Sequence, residues 1–289
     1  MHEVTEIEVD SGIINALAKK KEIHFDWGQY INVPSDFVNL KSNSNTQSAL
    51  AIKGGLGLKY LDTRDLNYQG WTPKDREQNC YFWSLKNKQA TFCLGAAGTG
   101  KTSIAMAYGI QNIFRKDRPL ILCKPTVFVG SKSNAIAAVP GNERDKLAPY
   151  MDSYMPSLKK ILGRDYLNFI YEWEDKELLS FRAIELIRGQ HFENCTLIID
   201  EAQNLSLHEL VSVLSRVGEG GTVVILGDPA QIDTQASWTD TGLSKMLSSK
   251  AVTKSELTSC IKLKKQYRGP LAALCQEVLE EDLITSFYQ

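Results

Sequence analysis

Eight consecutive residues, Gly95-Ala96-Ala97-Gly98-Thr99-Gly100-Lys101-Thr102, fit G-x-x-x-x-G-K-T and leave the surrounding chain few folds to choose from. Ala90-Thr91-Phe92-Cys93-Leu94 precedes them and reads as a buried strand. Ser103-Ile104-Ala105-Met106-Ala107-Tyr108 follows and reads as a helix. In that order, the glycines let the backbone wrap a phosphate, and N–H groups at the start of the helix point at it. Residues Gly95 through Thr102, with Ser103, are therefore expected to hold the phosphates of ATP or a similar triphosphate. Lys101 would reach the β- and γ-phosphates, and the Thr102 hydroxyl would ligate Mg²⁺.

The pattern around this loop is α/β. Strand-type runs recur at Thr91–Leu94, Leu120–Cys123, Thr196–Ile199, Thr222–Leu226 and Cys260–Leu263. Helix-type segments are expected at Asp75–Leu85, Thr102–Phe114, Ser206–Val217 and Pro270–Ile284. Ser206 and Glu209 have the spacing of a capping box, ahead of an apolar face of Leu207, Leu210, Val211 and Leu214. Strands alternating with helices argue for a mostly parallel sheet covered on both faces. The stretch from Phe128 to Glu177 is long for a connection, with Lys146–Leu162 expected as a helical insertion, and such excursions are often functional. Residues 1–70 read differently, as an N-terminal accessory region. It has a short alternating strand at Thr5–Val9, a helix from Ser11 through Lys20, a polar loop at Lys41–Ser48 and a hairpin around Gly54-Gly55. Residues 71–289 read as one α/β domain.

Composition excludes several classes. The formal net charge of -1 gives no global field toward nucleic acid, so such binding would need a local patch. No apolar run approaches a membrane span, and the polar, acidic start resembles neither a signal nor a transit peptide. The six cysteines form no C-x-x-C pair and read as small buried hydrophobes in a reducing, cytoplasmic setting. With four scattered histidines, zinc is not expected.

In an open parallel sheet, ligands bind beyond the carboxyl ends of the strands. Four polar motifs fall at such ends: the loop itself, Lys124-Pro125-Thr126, Asp200-Glu201-Ala202-Gln203, and Gly227-Asp228-Pro229-Ala230-Gln231. Asp200 is the natural partner of Mg²⁺, and Glu201 can polarise an attacking water as general base. Gln231 could sense the γ-phosphate. Asp228 could orient a water or the metal, or Gly227-Asp228-Pro229 could be a plain turn. A guanine-reading N-K-x-D is missing: the nearest run, Thr253-Lys254-Ser255-Glu256, departs at two positions. These residues favour an ATP hydrolase.

Gly95–Thr102, Ile199-Asp200-Glu201-Ala202-Gln203-Asn204 and Gly227-Asp228-Pro229-Ala230-Gln231-Ile232-Asp233, with Val139-Pro140-Gly141 and Arg188-Gly189, resemble the PhoH-like ATPases. The three phosphate-side motifs are shared with superfamily 1 helicases. The resemblance covers about Thr72 to the C-terminus. It implies a RecA-like P-loop ATPase core, ATP and Mg²⁺ as ligands, and RNA or DNA helicase activity. It also implies a homo-oligomer such as a hexameric ring. By the same resemblance Gln78 reads the adenine edge, the Tyr267 ring stacks on adenine and Arg268 reaches the γ-phosphate. Core packing for Tyr267 and a surface ion pair for Arg268 stay open. Lys124 and Thr126 suit a nucleic-acid backbone, or Lys124 faces solvent; Trp238 could stack a base or simply pack. The chain is too short for a second RecA-like domain, so a neighbouring subunit would complete the site with Arg188, Arg216 or Arg268. The leading expectation is an ATPase coupled to single-stranded RNA or DNA. The alternatives are an ATPase switch acting on a protein partner, and a nucleotide-binding scaffold or kinase-like transferase.

Overall fold

The computed structural model describes residues 5–6, 30–34, 48–54, 57–60, 66–125, 151–184, 187, 189–232, 237–253, 255–267, 269–271, 274 and 278. The N-terminal region contributes four strands in sequence order: β1 (Thr5–Glu6), β2 (Tyr30–Pro34), β3 (Ser48–Gly54) and β4 (Gly57–Tyr60). β3 and β4 pair antiparallel, with Gly54 opposite Gly57, which places the expected hairpin. Of the expected Thr5–Val9 strand, Thr5–Glu6 is described; Ser11–Lys20 lies outside the described residues.

Six further strands form a second, wholly parallel sheet. They are β5 (Ala90–Gly95), β6 (Leu120–Lys124), β7 (Leu179–Ala183), β8 (Thr196–Ile199), β9 (Thr222–Gly227) and β10 (Thr258–Leu263), in the order β10-β5-β9-β8-β6-β7. All five expected strands are present. β7 is the one the sequence did not signal. It is an edge strand whose burial alternates, with Ser180 and Arg182 only half-buried, so its run Leu-Ser-Phe-Arg-Ala lacks the continuous apolar signature of a central strand.

The helices sort onto the two faces as the strand side chains alternate. Cys93, Leu122, Ile198, Val224 and Ile261 face one core. It is covered by α1 (Arg76–Asn87), α2 (Lys101–Lys116), α3 (Met155–Leu162) and α4 (Tyr166–Asp175). Phe92, Leu94, Leu197, Ile199, Val223 and Ile225 face the other, under α5 (Leu207–Leu214) and α6 (Gly242–Ser248). A short helix α7 (Lys250–Thr253) precedes β10. Each inward side chain contributes about 1.5–3 kcal/mol of burial. The sheet is thus held from both sides and its carboxyl edge is fixed in place.

Two helical expectations are corrected. The Lys146–Leu162 insertion is helical at Met151-Asp152 and again from Met155 as α3, but it is interrupted by a turn at Ser153-Tyr154; residues 146–150 lie outside the described chain. Pro156 explains where the helix begins, because proline suits the first turn and not an interior position. The capping box on α5 is formed, with Glu209 N–H donating to Ser206 Oγ and Ser206 N–H to Glu209 Oε2. The buried face, however, is Leu210, Val213, Leu214 and Val217, whereas Leu207 and Val211 are exposed. That i, i+3, i+4, i+7 set turns toward the core, so the helix is rotated from the expected face.

Cys80, Cys93, Cys123, Cys195 and Cys260 are buried thiols in no disulfide, as expected of small core residues, and burial pushes the Cys195 thiol up to about 11. Among the described residues no helix is long and apolar enough to cross a membrane.

Candidate functional site

The parallel register brings the ends of β5, β9, β8 and β6 side by side, so all four expected motifs meet at one edge. They open onto a cleft of about 440 Å³. Its lining includes Gln78, Lys101, Thr102, Lys124, Asp200, Glu201, Asp228, Gln231 and Tyr267.

The loop after β5 is shaped by its glycines. Gly95 has φ +152, and a Cβ there would lie 2.5 Å from the Leu263 carbonyl oxygen on neighbouring β10. Gly100, at φ +99, caps α2 in a left-handed conformation that L side chains rarely adopt. The Lys101 ammonium is held by the carbonyls of Gly95 and Ala96, the latter at 3.0 Å. α2 is sixteen residues long and buried along most of its length, so the partial positive charge of its N-terminus is fixed beneath the loop. Ala97, Gly98, Gly100, Lys101, Thr102 and Ser103 all line the cleft; Ala96 and the buried Thr99 brace the loop through Thr99 Oγ1, which donates to the Ala96 carbonyl at 2.9 Å.

Thr102 Oγ1 donates to Asp200 Oδ2 at 3.2 Å, so the two expected metal partners already touch. Burial, and then the neighbouring Glu201 charge, push Asp200 up to about 6, against the pull of Lys124 and Lys101. Asp228 is also raised, by burial first, while the Ala230 N–H and Lys101 pull it down. Asp228 Oδ1 accepts from that N–H at 3.0 Å, whereas buried Oδ2 has no well-formed hydrogen bond. A buried carboxylate in contact with a hydroxyl, with a second carboxylate, that of Asp228, lining the same cleft and one of its oxygens lacking a well-formed hydrogen bond, fits a divalent cation. Among the described residues no cluster of His, Cys, Asp and Glu could hold a metal by itself. Phosphate oxygens would have to complete such a shell.

Glu201 sits at φ +55, a left-handed conformation costing about 1–2 kcal/mol for a residue with a side chain. Three contacts hold it there. Its N–H donates to Asp200 Oδ1 at 3.1 Å, Gln203 Nε2 donates to its Oε2 at 2.8 Å, and Lys124 Nζ lies 3.9 Å from its Oε1. Gln203 is a site residue to which sequence reasoning gave no role. Its Nε2 also donates to the Gln231 carbonyl at 2.7 Å, and its Oε1 accepts from Asp228 N–H at 3.1 Å. One buried amide therefore ties the ends of β8 and β9 together. The available signal was a lone amide two positions past a carboxylate, in a motif already noticed for its acids.

Lys124 lies at the shared edge where its motif was expected: its side chain is 24% exposed and turns into the cleft toward Glu201, so of its two readings the one facing open solvent is set aside. Trp238 is half-buried and packs against the second core. Arg216 is exposed beside the amino end of β8, at the opposite edge from the cleft. Thr126, Arg188 and Arg268 lie outside the described residues.

At the other end of the cleft, buried Gln78 accepts from Lys74 N–H at 3.0 Å and donates to the Thr99 carbonyl at 3.1 Å. An amide has two donor hydrogens and two lone pairs, so one of each is left for a base edge. Tyr267 anchors on the loop: its N–H donates to the Gly98 carbonyl at 3.0 Å and its hydroxyl to Asp75 Oδ2 at 2.5 Å. Burial, followed by Asp75, raises its phenol above the ordinary range. Asp75, also missed, is the N-cap of α1, accepting from Gln78 N–H at 2.7 Å through its other oxygen.

The family model described as "PhoH-like protein" matches residues 71–280. The chain belongs to the PhoH-like family. Protein PhoH2 of Bacillus subtilis is 31% identical over 268 residues, covering 88% of this chain and 58% of the relative. Protein PhoH of Escherichia coli K12 is 30% identical over 160 residues, 55% of this chain and 44% of that one. This PhoH-like chain thus spans about half the length of the curated relatives it matches. Among solved structures, that of Pif1 helicase from Candida albicans aligns with a TM-score of 0.33 at 16% identity, covering 67% of this chain and 40% of that one.

Proposed function

We propose that the cleft binds ATP with Mg²⁺ and hydrolyses it, and that turnover is coupled to single-stranded RNA or DNA in a homo-oligomer. The observation that carries the hydrolytic reading is the Thr102–Asp200 contact beside Glu201, all facing Lys101 and the phosphate loop. Mg²⁺, when bound by Thr102 and Asp200, would neutralise the phosphates and polarise the γ-phosphoryl group. Lys101 leaves its carbonyl partners for phosphate oxygens. Glu201, steered by Gln203, takes a proton from the attacking water, and Gln231 stands beside it at the γ-phosphate end. Tyr267 and Gln78 position the base. Among the described residues the cleft is lined by Lys74, Lys101, Lys124 and Lys160 and by no arginine, which favours an arginine supplied by Arg268 or by a second subunit. The reading assigns hydrolysis to residues 71–289 in the cytoplasm, with residues 1–70 as an accessory region.

A second reading, an ATPase switch acting on a protein partner, is favoured by the positions of Lys124 and Trp238. Lys124 turns toward Glu201 and Trp238 is half-buried against the core, so each already has a partner within the chain. Phosphate release measured with and without single-stranded RNA and DNA separates the two. Several-fold stimulation by either strand is the expected result; turnover indifferent to both removes the nucleic-acid coupling.

Metal use should depend on pH with a definite sign. Protonation of Asp200 competes with cation binding, so the Mg²⁺ demand rises as pH falls through about 6. The Mg²⁺ concentration for half-maximal turnover is expected to be about ten-fold higher at pH 5 than at pH 7, following the ionised fraction of one such carboxylate. An unchanged requirement between those pH values would place Asp200 outside the metal's reach.

A further inference from the structure

α3, in the long stretch between β6 and β7, builds one wall of the cleft. Ser153, Ser157 and Lys160 all line the cleft. Ser157 Oγ lies 2.9 Å from Ser103 Oγ, so α3 is seated on the first turn of α2. Lys160 is three residues further along α3, on the same face as Ser157. Its ammonium sits 4.7 Å from the centre of the Trp71 ring, and Trp71 lines the cleft too. A ring face holds a cation in place without neutralising it. Among the described residues no carboxylate is within ion-pair distance of Lys160.

The two ends of the cleft fix what passes beneath this cation. Asp200, Glu201, Asp228 and Gln231 mark the γ-phosphate end. Trp71, Thr72, Gln78 and Tyr267 mark the base end. Ser103 lines the cleft one residue past Thr102. On the reading given under Proposed function, a nucleotide anchored by Lys101 runs its α-phosphate past Ser103 and the overhanging Lys160. We propose that Lys160, steadied by Trp71 and brought in by the Ser103–Ser157 contact, is the α-phosphate contact of the cleft. Lys160 is then a binding residue for nucleoside di- and triphosphates alike, contributed by the excursion and not by the phosphate loop.

An α-phosphate contact is shared by ADP and ATP, whereas a γ-phosphate contact serves ATP alone. Affinities of fluorescent ADP and of a non-hydrolysable ATP analogue should therefore be measured with Mg²⁺ for the full chain and for Lys160→Ala and Lys160→Arg. Losing one charge-assisted contact should weaken both nucleotides by the same factor, about ten-fold. Lys160→Arg should restore most of that affinity, and in turnover the loss should fall in KM rather than kcat. A loss confined to the ATP analogue, or unchanged affinity for both, overturns the assignment. A thermal melt matching that of the unsubstituted chain shows that a loss is not one of folding. If the unsubstituted chain binds neither nucleotide, the parent reading fails. If it binds both and Lys160→Ala binds them equally well, only the role of Lys160 fails.

Discussion

Lys101→Ala is expected to reduce ATP turnover by at least about 100-fold, the scale on which removing one fixed transition-state contact acts. The side chain carries the charge that the phosphate loop aims inward. Its ammonium is held by the Gly95 and Ala96 carbonyls, and its charge pulls both Asp200 and Asp228 down toward ionisation. Removing it takes a cation from the phosphates and also leaves the two acids harder to ionise, so metal binding weakens with it. The fold should survive, because α2 is anchored by its buried face from Ile104 to Ile113 and not by Lys101. Phosphate release and a thermal melt on the same preparation check both halves. Turnover within ten-fold of the unsubstituted chain would mean that phosphates bind elsewhere.

Glu201→Gln separates binding from chemistry. The substituted amide keeps an acceptor oxygen for Gln203 Nε2 and nearly the same shape, so the left-handed turn at position 201 is retained. What is lost is the ability to take a proton from water, a contribution of about 100-fold or more. One negative charge beside Asp200 is also removed, which eases ionisation of that carboxyl. Nucleotide affinity should therefore hold or tighten while hydrolysis stops. Single-turnover phosphate release with a parallel binding titration reads both. Hydrolysis at the ordinary rate would remove Glu201 as the base and direct attention to Asp228, whose Oδ2 is buried without a well-formed hydrogen bond.

Much of this site is legible from local patterns, and the reasons are physical. The runs at β5, β8 and β9 are nearly continuous apolar segments, because a central parallel strand is buried on both faces. A polar residue directly after such a run must lie at the sheet's carboxyl edge. That is why Lys101, Thr102, Asp200, Glu201, Asp228 and Gln231 are legible from the sequence as one group. The bridging role of Gln203 and the partner of Lys124 were not legible in the same way, since both depend on which strand ends are neighbours. The order β10-β5-β9-β8-β6-β7 puts Gln203 against β9 and Lys124 against β8. Lys124 is placed at the shared edge by the end of its strand, but its contact with Glu201 depends on β6 lying next to β8, where Asp200 N–H donates to the Cys123 carbonyl at 2.8 Å and draws the two strand ends together. Lys160 and Trp71 were hidden for a related reason. They are 89 positions apart in the sequence and meet only because α3 is seated on α2.

The most direct measurement is phosphate release from ATP by the purified chain as Mg²⁺ is titrated, with Lys101→Ala run alongside. Four strand ends acting as one hydrolytic site predict Mg²⁺-dependent turnover that saturates with ATP and vanishes in the variant. Turnover that is absent at every Mg²⁺ concentration, or that persists in Lys101→Ala, would contradict the assignment of this cleft.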